Sequence, residues 1–317
     1  MSMLLGHARR MVKRTAERGM VLSGVARVAR RRRAGELLVL AYHNIVPHGE
    51  CAAGDSSLHL SQRAFAAQLD CLQACCDVVS LHDVVTTGVH DSSPRDSRRP
   101  RVAITFDDAY RGALTAGVEE LRARALPATF FVSPAFIGDG DFWWDAILPA
   151  LPPGARETFR RRALDEWGGD DARVRCAAGQ LGIPSRVPPA HARCASEAEL
   201  IAAATQPGIA AGSHSWSHPN LARTGGERLD EELARPLHWL RERVPHTVPA
   251  LAYPYGCWSP PVASRAAECG YALAFRIDGG WAGRTADRGG CHTLPRLNVP
   301  AGLSVDGLAL RISGVWS

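Results

Sequence analysis

The chain has 317 residues, of which 46% are hydrophobic and 22% are charged, a balance that is ordinary for a globular protein and excludes bulk disorder. The formal net charge is +5. However, residues 1–34 hold ten Lys and Arg against one Glu, so the rest of the chain is mildly acidic. No continuous apolar run is long enough to predict a membrane-spanning helix. Nine scattered Cys without a Cys-x-x-Cys pair predict neither a zinc knuckle nor a disulfide framework.

Residues 1–35 are predicted to form a basic segment that is at least partly helical. Arg9, Arg10 and Lys13 interrupt the apolar run that a signal peptide needs, so the sequence predicts a protein made and kept in the cytoplasm. Apolar positions among the arginines are compatible with a helix that lies on an anionic membrane surface, here the inner face. The alternative is a solvated, arginine-rich tail. No aromatic residues or known motif accompany the charge, so nucleic-acid binding is not predicted.

From Glu36 onward, apolar runs alternate with helical patterns about seven times. This alternation predicts a parallel α/β sheet or barrel in one domain, residues 36–317, with an insertion of helices and proline-rich turns at about 139–205. Pro236 is expected to kink or break the last predicted helix. The predicted strands are 37–42, 76–81, 102–106, 129–132, 209–213, 248–253, 271–275 and 293–299, and the predicted helices are 61–76, 112–125 and 229–243.

Polar, reactive residues repeatedly follow the predicted strands. They are His43, Asp107 with Asp108, His214 with His218, and Tyr255, and Arg296 lies within a late strand. The carboxyl ends of the strands of a β/α barrel meet at one mouth, where active sites lie. We therefore expect these side chains to come together although they are far apart in sequence.

Asp107 and Asp108 are adjacent carboxylates at a strand end. Two such charges are costly unless they are compensated. A metal ion would compensate one of them, and the other is then available as a general base. The alternative is an ordinary helix cap, a common role of Asp between a strand and a helix.

His214 and His218 are four residues apart, a spacing that allows two imidazoles to bind one metal. Pro219 disfavours the helical conformation at His218, so an irregular turn is as compatible with the sequence as a helix. The alternative is two independent histidines. One Asp and two His would leave positions open on the metal for water and substrate, which is typical of a catalytic site.

The segment 105–108 (Thr-Phe-Asp-Asp), followed by 214–221 (His-Ser-x-x-His-Pro-x-Leu), resembles the polysaccharide deacetylases of the NodB-homology type, carbohydrate esterase family 4. Residues 252–256 (Ala-Tyr-Pro-Tyr-Gly) are similar to the third motif of that family. The motifs are scattered over residues 37–300. Each motif alone is weak evidence for the family, and the resemblance depends on their order and their position at strand ends. The resemblance implies a distorted (β/α)7 barrel with a helical insertion.

The resemblance also implies a mechanism. One divalent metal, usually zinc with cobalt, nickel or manganese as alternatives, would be bound by Asp108, His214 and His218. Asp107 would be the catalytic base, and the backbone N–H of Tyr255 would help to stabilise the oxyanion.

The catalytic acid and the partner of the base differ from the common family pattern. The usual Leu-x-His near the C-terminus is absent, whereas residues 40–43 (Leu-Ala-Tyr-His) resemble the circularly permuted members with an N-terminal Tyr-His element. His43 is therefore predicted to be the acid; the alternative is a His that bonds a neighbouring carbonyl. The Arg usual in the third motif is missing, and 276–281 only partly match the fourth motif. Arg296 is predicted to orient Asp107 instead, although an ordinary surface Arg is the alternative.

Tyr253 and Pro254, within the stretch similar to the third motif, are predicted to bind substrate. Trp143 and Trp144 are predicted to do so because aromatic rings stack on sugars; core packing explains these two Trp at least as well. The predicted reaction is removal of the N-acetyl group from an amino sugar, in a small glycoside, a nucleotide- or lipid-linked sugar, or a polysaccharide. The alternatives are an O-acetyl esterase on the same scaffold and a non-catalytic module that binds carbohydrate or membrane.

Overall fold

Short buried strands alternate with helices in the computed structural model, which describes residues 2–89, 99–282 and 290–315. The strands are β1 Leu37–Tyr42, β2 Asn44–Val46, β3 His59–Ser61, β4 Asp77–Val78, β5 Arg101–Phe106, β6 Ala128–Val132, β7 Ile209–Ser213, β8 Thr247–Ala252, β9 Leu273–Phe275 and β10 Leu297–Asn298. The helices are α1 Ser2–Leu22, α2 Val25–Arg31, α3 Gln62–Cys75, α4 Leu81–Thr87, α5 Val118–Ala123, α6 Trp143–Ala146, α7 Pro153–Asp165, α8 Asp171–Gln180, α9 Glu197–Ala204, α10 Gly226–Arg243, α11 Pro260–Glu268 and α12 Val305–Ser313.

Seven parallel strands form the barrel wall. Their order is β10-β1-β5-β6-β7-β8-β9, and β4 pairs with β5 outside this path. Leu294 forms a parallel bridge with Phe275 of β9, and Leu297 pairs with Leu40 of β1. One short segment thus joins both edges of the sheet. The predicted distorted (β/α)7 barrel is confirmed.

The burial pattern explains why the strands read as continuous apolar runs. All six residues of β1 and of β5 are buried, because a parallel strand of a barrel is covered on both faces. The last strand is shorter than predicted: Pro295 and Pro300 flank β10, and proline has no N–H to donate to a sheet. The predicted strand 76–81 is also reduced, to β4, because Ser80 caps α4 by accepting a hydrogen bond from the Asp83 N–H at 3.0 Å.

Helix α10 runs through Pro236 without a break, so of the two predicted effects of this proline the break was wrong. Its apolar face is buried against the barrel at Leu229, Leu233, Leu237 and Leu240. This packing offsets the hydrogen bond that the proline cannot donate. The helix contacts β7 and β8, the two strands that lead into the His214 and Tyr255 segments.

Two further groups of helices lie outside the regular alternation of strand and helix. Helices α6, α7 and α8 fall between β6 and β7, where an insertion was predicted, and α9 contacts β7. Helices α1 and α2 contact α12, and Glu17 of α1 is buried there and accepts a hydrogen bond from Ser304 at 2.5 Å. Within the described part of the chain, no helix combines the length and apolarity needed to cross a bilayer.

Candidate functional site

A cavity of about 310 Å³ opens at the carboxyl ends of the barrel strands, and its size is typical of ligand pockets. The parallel direction of β1, β5, β7 and β8 carries the residues that follow each strand to this same end. The structure thereby brings together the residues predicted at the strand ends. The cavity is lined by six of them, His43, Asp107, Asp108, His214, His218 and Tyr255.

Asp108, His214 and His218 form a compact, buried group that can hold a metal ion. Asp108 Oδ1 lies 3.5 Å from His214 Nε2 and 3.3 Å from His218 Nε2, and the two Nε2 atoms are 3.2 Å apart. Ligand atoms about 2.0–2.2 Å from a tetrahedral zinc are separated by about 3.3–3.6 Å. The spacing of the three atoms therefore fits a single small divalent ion.

Two further observations support this fit. Asp108 Oδ1 is buried and has no hydrogen-bond partner among the described residues, although a buried carboxylate oxygen is costly without one. His214 Nδ1 donates a hydrogen bond to the Ala252 carbonyl at 2.8 Å, so its Nε2 carries a free lone pair directed at the group. Burial lowers the pKa of His214 to about 4, against the opposing charge of Asp107. The imidazole is therefore neutral, as a metal ligand must be.

Asp107 is held by Arg296 in a bidentate ion pair. The guanidinium donates to Oδ1 at 2.7 Å and to Oδ2 at 2.8 Å, and also to the Thr105 hydroxyl at 3.2 Å. Arg296 is fully buried. Burial alone would raise the pKa of Asp107, but the charge of Arg296, then that of His214 when it is protonated at low pH, and the Arg296 hydrogen bonds hold it below its usual range. Asp107 is therefore ionised and fixed in orientation beside the metal-binding group.

Unusual backbone conformations are concentrated at this site. Of the seven described non-glycine residues with positive φ, five lie here: Asp108, Ala109, Ser215, His218 and Tyr255. Each such conformation costs of order 1–3 kcal/mol and persists only where surrounding contacts impose it. At His218, φ is 59°, so the His214–His218 segment is an irregular turn and not a helix.

One wall of the cavity consists of aromatic side chains that support His218. The Tyr255 ring meets the His218 ring edge-on at 4.7 Å, and the Trp144 ring lies 5.1 Å from it. Tyr255 donates its hydroxyl to the Gly169 carbonyl at 2.7 Å and accepts from Trp143 Nε1 at 3.2 Å. A Cβ at Gly169 would lie 2.4 Å from the Tyr255 ring. The segment between β6 and β7 therefore packs directly on the site.

The four residues predicted to bind substrate fall into two groups. Trp143 and Trp144 line the cavity, but both are almost completely buried. Tyr253 and Pro254 do not line it. Tyr253 is fully buried and donates its hydroxyl to the His292 carbonyl at 2.8 Å. Its side chain packs in the cluster beneath α10 and α11, so it belongs to the core of that side of the barrel.

Several lining residues were not predicted from the sequence. Asp55 and Ser57 come from the loop between β2 and β3, and Arg160 comes from α7 and forms an ion pair with Asp55. Buried Asp145 ties this loop to the wall: it accepts from the Asp55 N–H at 2.9 Å and the Tyr110 hydroxyl at 2.5 Å. These residues follow no barrel strand, so the strand-end pattern could not identify them.

A β/α barrel with a buried Asp-His-His group and an adjacent, ion-paired Asp defines a hydrolase-like site at the strand ends. A family model described as polysaccharide deacetylase matches residues 95–274, more than half of the chain. The chain belongs to the polysaccharide deacetylase family, as its motifs had indicated. This membership supports the deacetylation of sugars as its class of reaction.

Solved structures agree with this fold. The chain is similar to the Streptococcus pyogenes deacetylase PplD in complex with acetate (TM-score 0.61, 17% identity, 88% of this chain and 99% of that chain). It is also similar to IcaB from Ammonifex degensii (TM-score 0.60, 19% identity, 89% and 98%) and to a de-N-acetylase from Aggregatibacter actinomycetemcomitans (TM-score 0.55, 15% identity, 83% and 94%). No curated protein sequence matches the chain. At these identities the likeness concerns the fold alone.

Proposed function

We propose that the protein is a metal-dependent hydrolase that removes the N-acetyl group from an amino sugar. The observation that carries this proposal is the buried Asp108-His214-His218 group beside the Asp107–Arg296 ion pair, both in one cavity. A cavity that only bound carbohydrate would need neither a fixed, ionised carboxylate nor three converging ligand atoms.

A divalent ion would be held by Asp108 Oδ1, His214 Nε2 and His218 Nε2. Two imidazoles and one carboxylate favour zinc, with cobalt, nickel and manganese as alternatives. When bound, the ion would polarise the acetyl carbonyl and lower the pKa of a water. Asp108, His214 and His218 together leave coordination positions for both.

The other residues would move protons and fix geometry. Asp107 takes a proton from the water as the water oxygen attacks the carbonyl carbon of the acetyl group. Arg296 keeps the Asp107 carboxylate ionised and oriented. The backbone N–H of Tyr255 stabilises the oxyanion, as the family resemblance implies. His43 then donates a proton to the nitrogen as the C–N bond breaks, so that acetate and a free amine leave.

The substrate is proposed to be an acetylated amino sugar in a small glycoside, a nucleotide- or lipid-linked sugar, or a polysaccharide. Asp55, Ser57 and Arg160 at the cavity offer donors and acceptors to sugar hydroxyl groups. The partly exposed side chain of Arg160, 33% accessible, is available to contact a substrate at the mouth.

Acetate release from matched N-acetyl and O-acetyl sugars tests both the reaction and the role of His43. The wild-type protein loaded with zinc is expected to release acetate from an N-acetyl sugar. His43→Gln is expected to slow amide cleavage by about 10²–10⁴-fold and ester cleavage much less, because an alkoxide leaving group depends less on protonation than an amine. His238→Gln, an exposed histidine on α10, is the control. Equal losses on both substrates would exclude His43 as the acid, and sugar binding without turnover would favour a non-catalytic module.

We also propose that α1 and α2 dock on a membrane surface that contains anionic lipid. Five large apolar side chains are exposed there, each by more than half: Met11, Val12, Leu22, Val25 and Val28. Exposed basic residues lie on the same two helices, and residues 1–34 have a net charge of about +9. Exposed apolar side chains together with cations suit insertion at the headgroup level of an anionic bilayer. The cytoplasmic location stays a prediction.

Sedimentation with vesicles tests this surface. The protein is expected to bind vesicles of phosphatidylcholine with phosphatidylglycerol, to bind phosphatidylcholine alone weakly, and to dissociate at high salt because the attraction is screened. Val28→Asp should weaken binding at least about tenfold by placing a charge on the apolar surface. Val187→Asp, also at an exposed valine, should leave it unchanged. Equal binding by both variants would locate membrane contact elsewhere.

A further inference from the structure

The turn that carries His218 is held from outside the cavity by one buried acid. Glu232 of α10 accepts hydrogen bonds from the backbone N–H of Trp216 at 2.9 Å and of Ser217 at 2.8 Å, both at Oε2. Its Oε1 accepts the Ser217 hydroxyl. All three donors belong to the four residues between His214 and Pro219, so Glu232 contacts the turn and not the metal-binding group itself.

The burial of Glu232 is unusual for its helix. Its neighbour Glu231 is exposed, with 68% of its side chain accessible, whereas Glu232 is only 4% exposed. Removing a carboxylate from water is costly unless hydrogen bonds replace the lost hydration. Here the turn supplies those hydrogen bonds, so the buried carboxylate links the helix to the turn.

A second contact from the same helix acts on the same turn. The Arg235 guanidinium lies over the Trp216 ring, 3.6 Å from its centroid. Residues 232 and 235 are three apart and therefore share one face of α10. This face of α10 therefore holds the turn in two ways. Glu232 accepts hydrogen bonds from the backbone N–H groups of the turn, and Arg235 packs on the ring of Trp216.

The turn requires such support because its backbone is strained. Ser215 has φ 62° and His218 has φ 59°, and each costs of order 1–3 kcal/mol unless contacts impose it. In this conformation His218 Nε2 lies 3.3 Å from Asp108 Oδ1. A relaxed turn would move one of the three ligand atoms away from the other two.

We propose that Glu232 is a positioning residue that sets metal affinity by holding the Ser215–His218 turn in its strained form. This inference rests on the proposed metal site. Residues that orient metal ligands without touching the metal typically change affinity by about 10–100-fold when they are replaced.

Zinc affinity, measured by competition with a chromophoric chelator, tests the proposal. Glu232→Met keeps the length of the side chain but accepts no hydrogen bond of comparable strength, and it should weaken zinc binding about 10–100-fold. Glu232→Gln should restore most of the affinity, because its amide oxygen still accepts the two backbone N–H groups. Glu242→Met, at an exposed acid of the same helix that does not contact the turn, is the matched control and should bind zinc like the wild type. Melting temperatures are measured in parallel.

Each outcome decides a separate question. A lower melting temperature for Glu232→Met with unchanged zinc affinity would reduce Glu232 to a structural role and overturn the inference. A wild-type protein that binds no zinc would overturn the metal site and the role of Glu232 together. If Glu232→Met does not fold, Ser217→Ala removes one of the three donors. It should weaken zinc binding several-fold, and unchanged affinity in that variant would also overturn the inference.

Discussion

Asp108→Ala is expected to remove the bound metal and to abolish acetate release. Asp108 Oδ1 lies 3.5 Å from His214 Nε2 and 3.3 Å from His218 Nε2, and two imidazoles without this carboxylate bind a divalent ion weakly. Loss of the ion removes the polarisation of the acetyl carbonyl and the activation of water, worth several kcal/mol. The expected fall in kcat/KM is therefore at least about a thousandfold. Metal content after gel filtration and acetate release measure the two effects separately.

The control for this variant is Asp139→Ala. Asp139 also has a left-handed backbone, with φ 69° against 71° for Asp108, and it forms a surface ion pair with Arg111. The two substitutions therefore share the cost of placing Ala in that conformation and differ in the ligand atom that is lost. Metal content near one equivalent in Asp108→Ala, with acetate release intact, would show that the metal binds elsewhere.

The barrel and the central site residues could be predicted because their signals are local. The apolar runs of β1 and β5 mark strands that are buried on both faces, and parallel strands must end at one mouth. A reactive residue directly after such a run, like His43 or Asp108, is then assigned to the mouth from its sequence position alone. Arg296 could be linked to Asp107 only through the missing Arg of the third motif, and the structure brings the two into contact.

The other residues of the site could not be assigned correctly from the sequence, because their positions depend on contacts that no local sequence pattern indicates. Asp55 reaches the cavity because buried Asp145, 90 residues away in sequence, accepts its backbone N–H. Tyr253 was assigned to the substrate through its motif, but its side chain points into the core, since successive residues of an extended segment face opposite sides. Glu232 looks like any other acidic residue of an amphipathic helix. Its role follows only from the position of α10 against the His218 turn.

Asp107→Asn is expected to lower kcat about 10²–10⁴-fold while metal content stays near that of the wild type. The loss is that expected for removal of a general base. Asn has the shape of Asp, and its oxygen still accepts a hydrogen bond from Arg296, but it takes no proton from water. Asp107 contributes no atom to the metal-binding group, so metal content separates this variant from Asp108→Ala. Asp230→Asn, which removes a surface pair with Arg265, should have no effect.

Arg296→Gln shows how the base depends on its partner. It leaves the buried Asp107 carboxylate without its bidentate donor, and removal of one member of a buried ion pair typically costs about 3–5 kcal/mol of stability. Since the carboxylate also loses its fixed orientation, kcat should fall even where the protein is folded. Urea unfolding and acetate release measure the two losses. The double variant Asp107→Asn/Arg296→Gln should be more stable than the sum of the single variants predicts, because no unpaired charge remains buried. Additive losses would mean that the two side chains act independently, and Arg296 would then have no role in positioning the base.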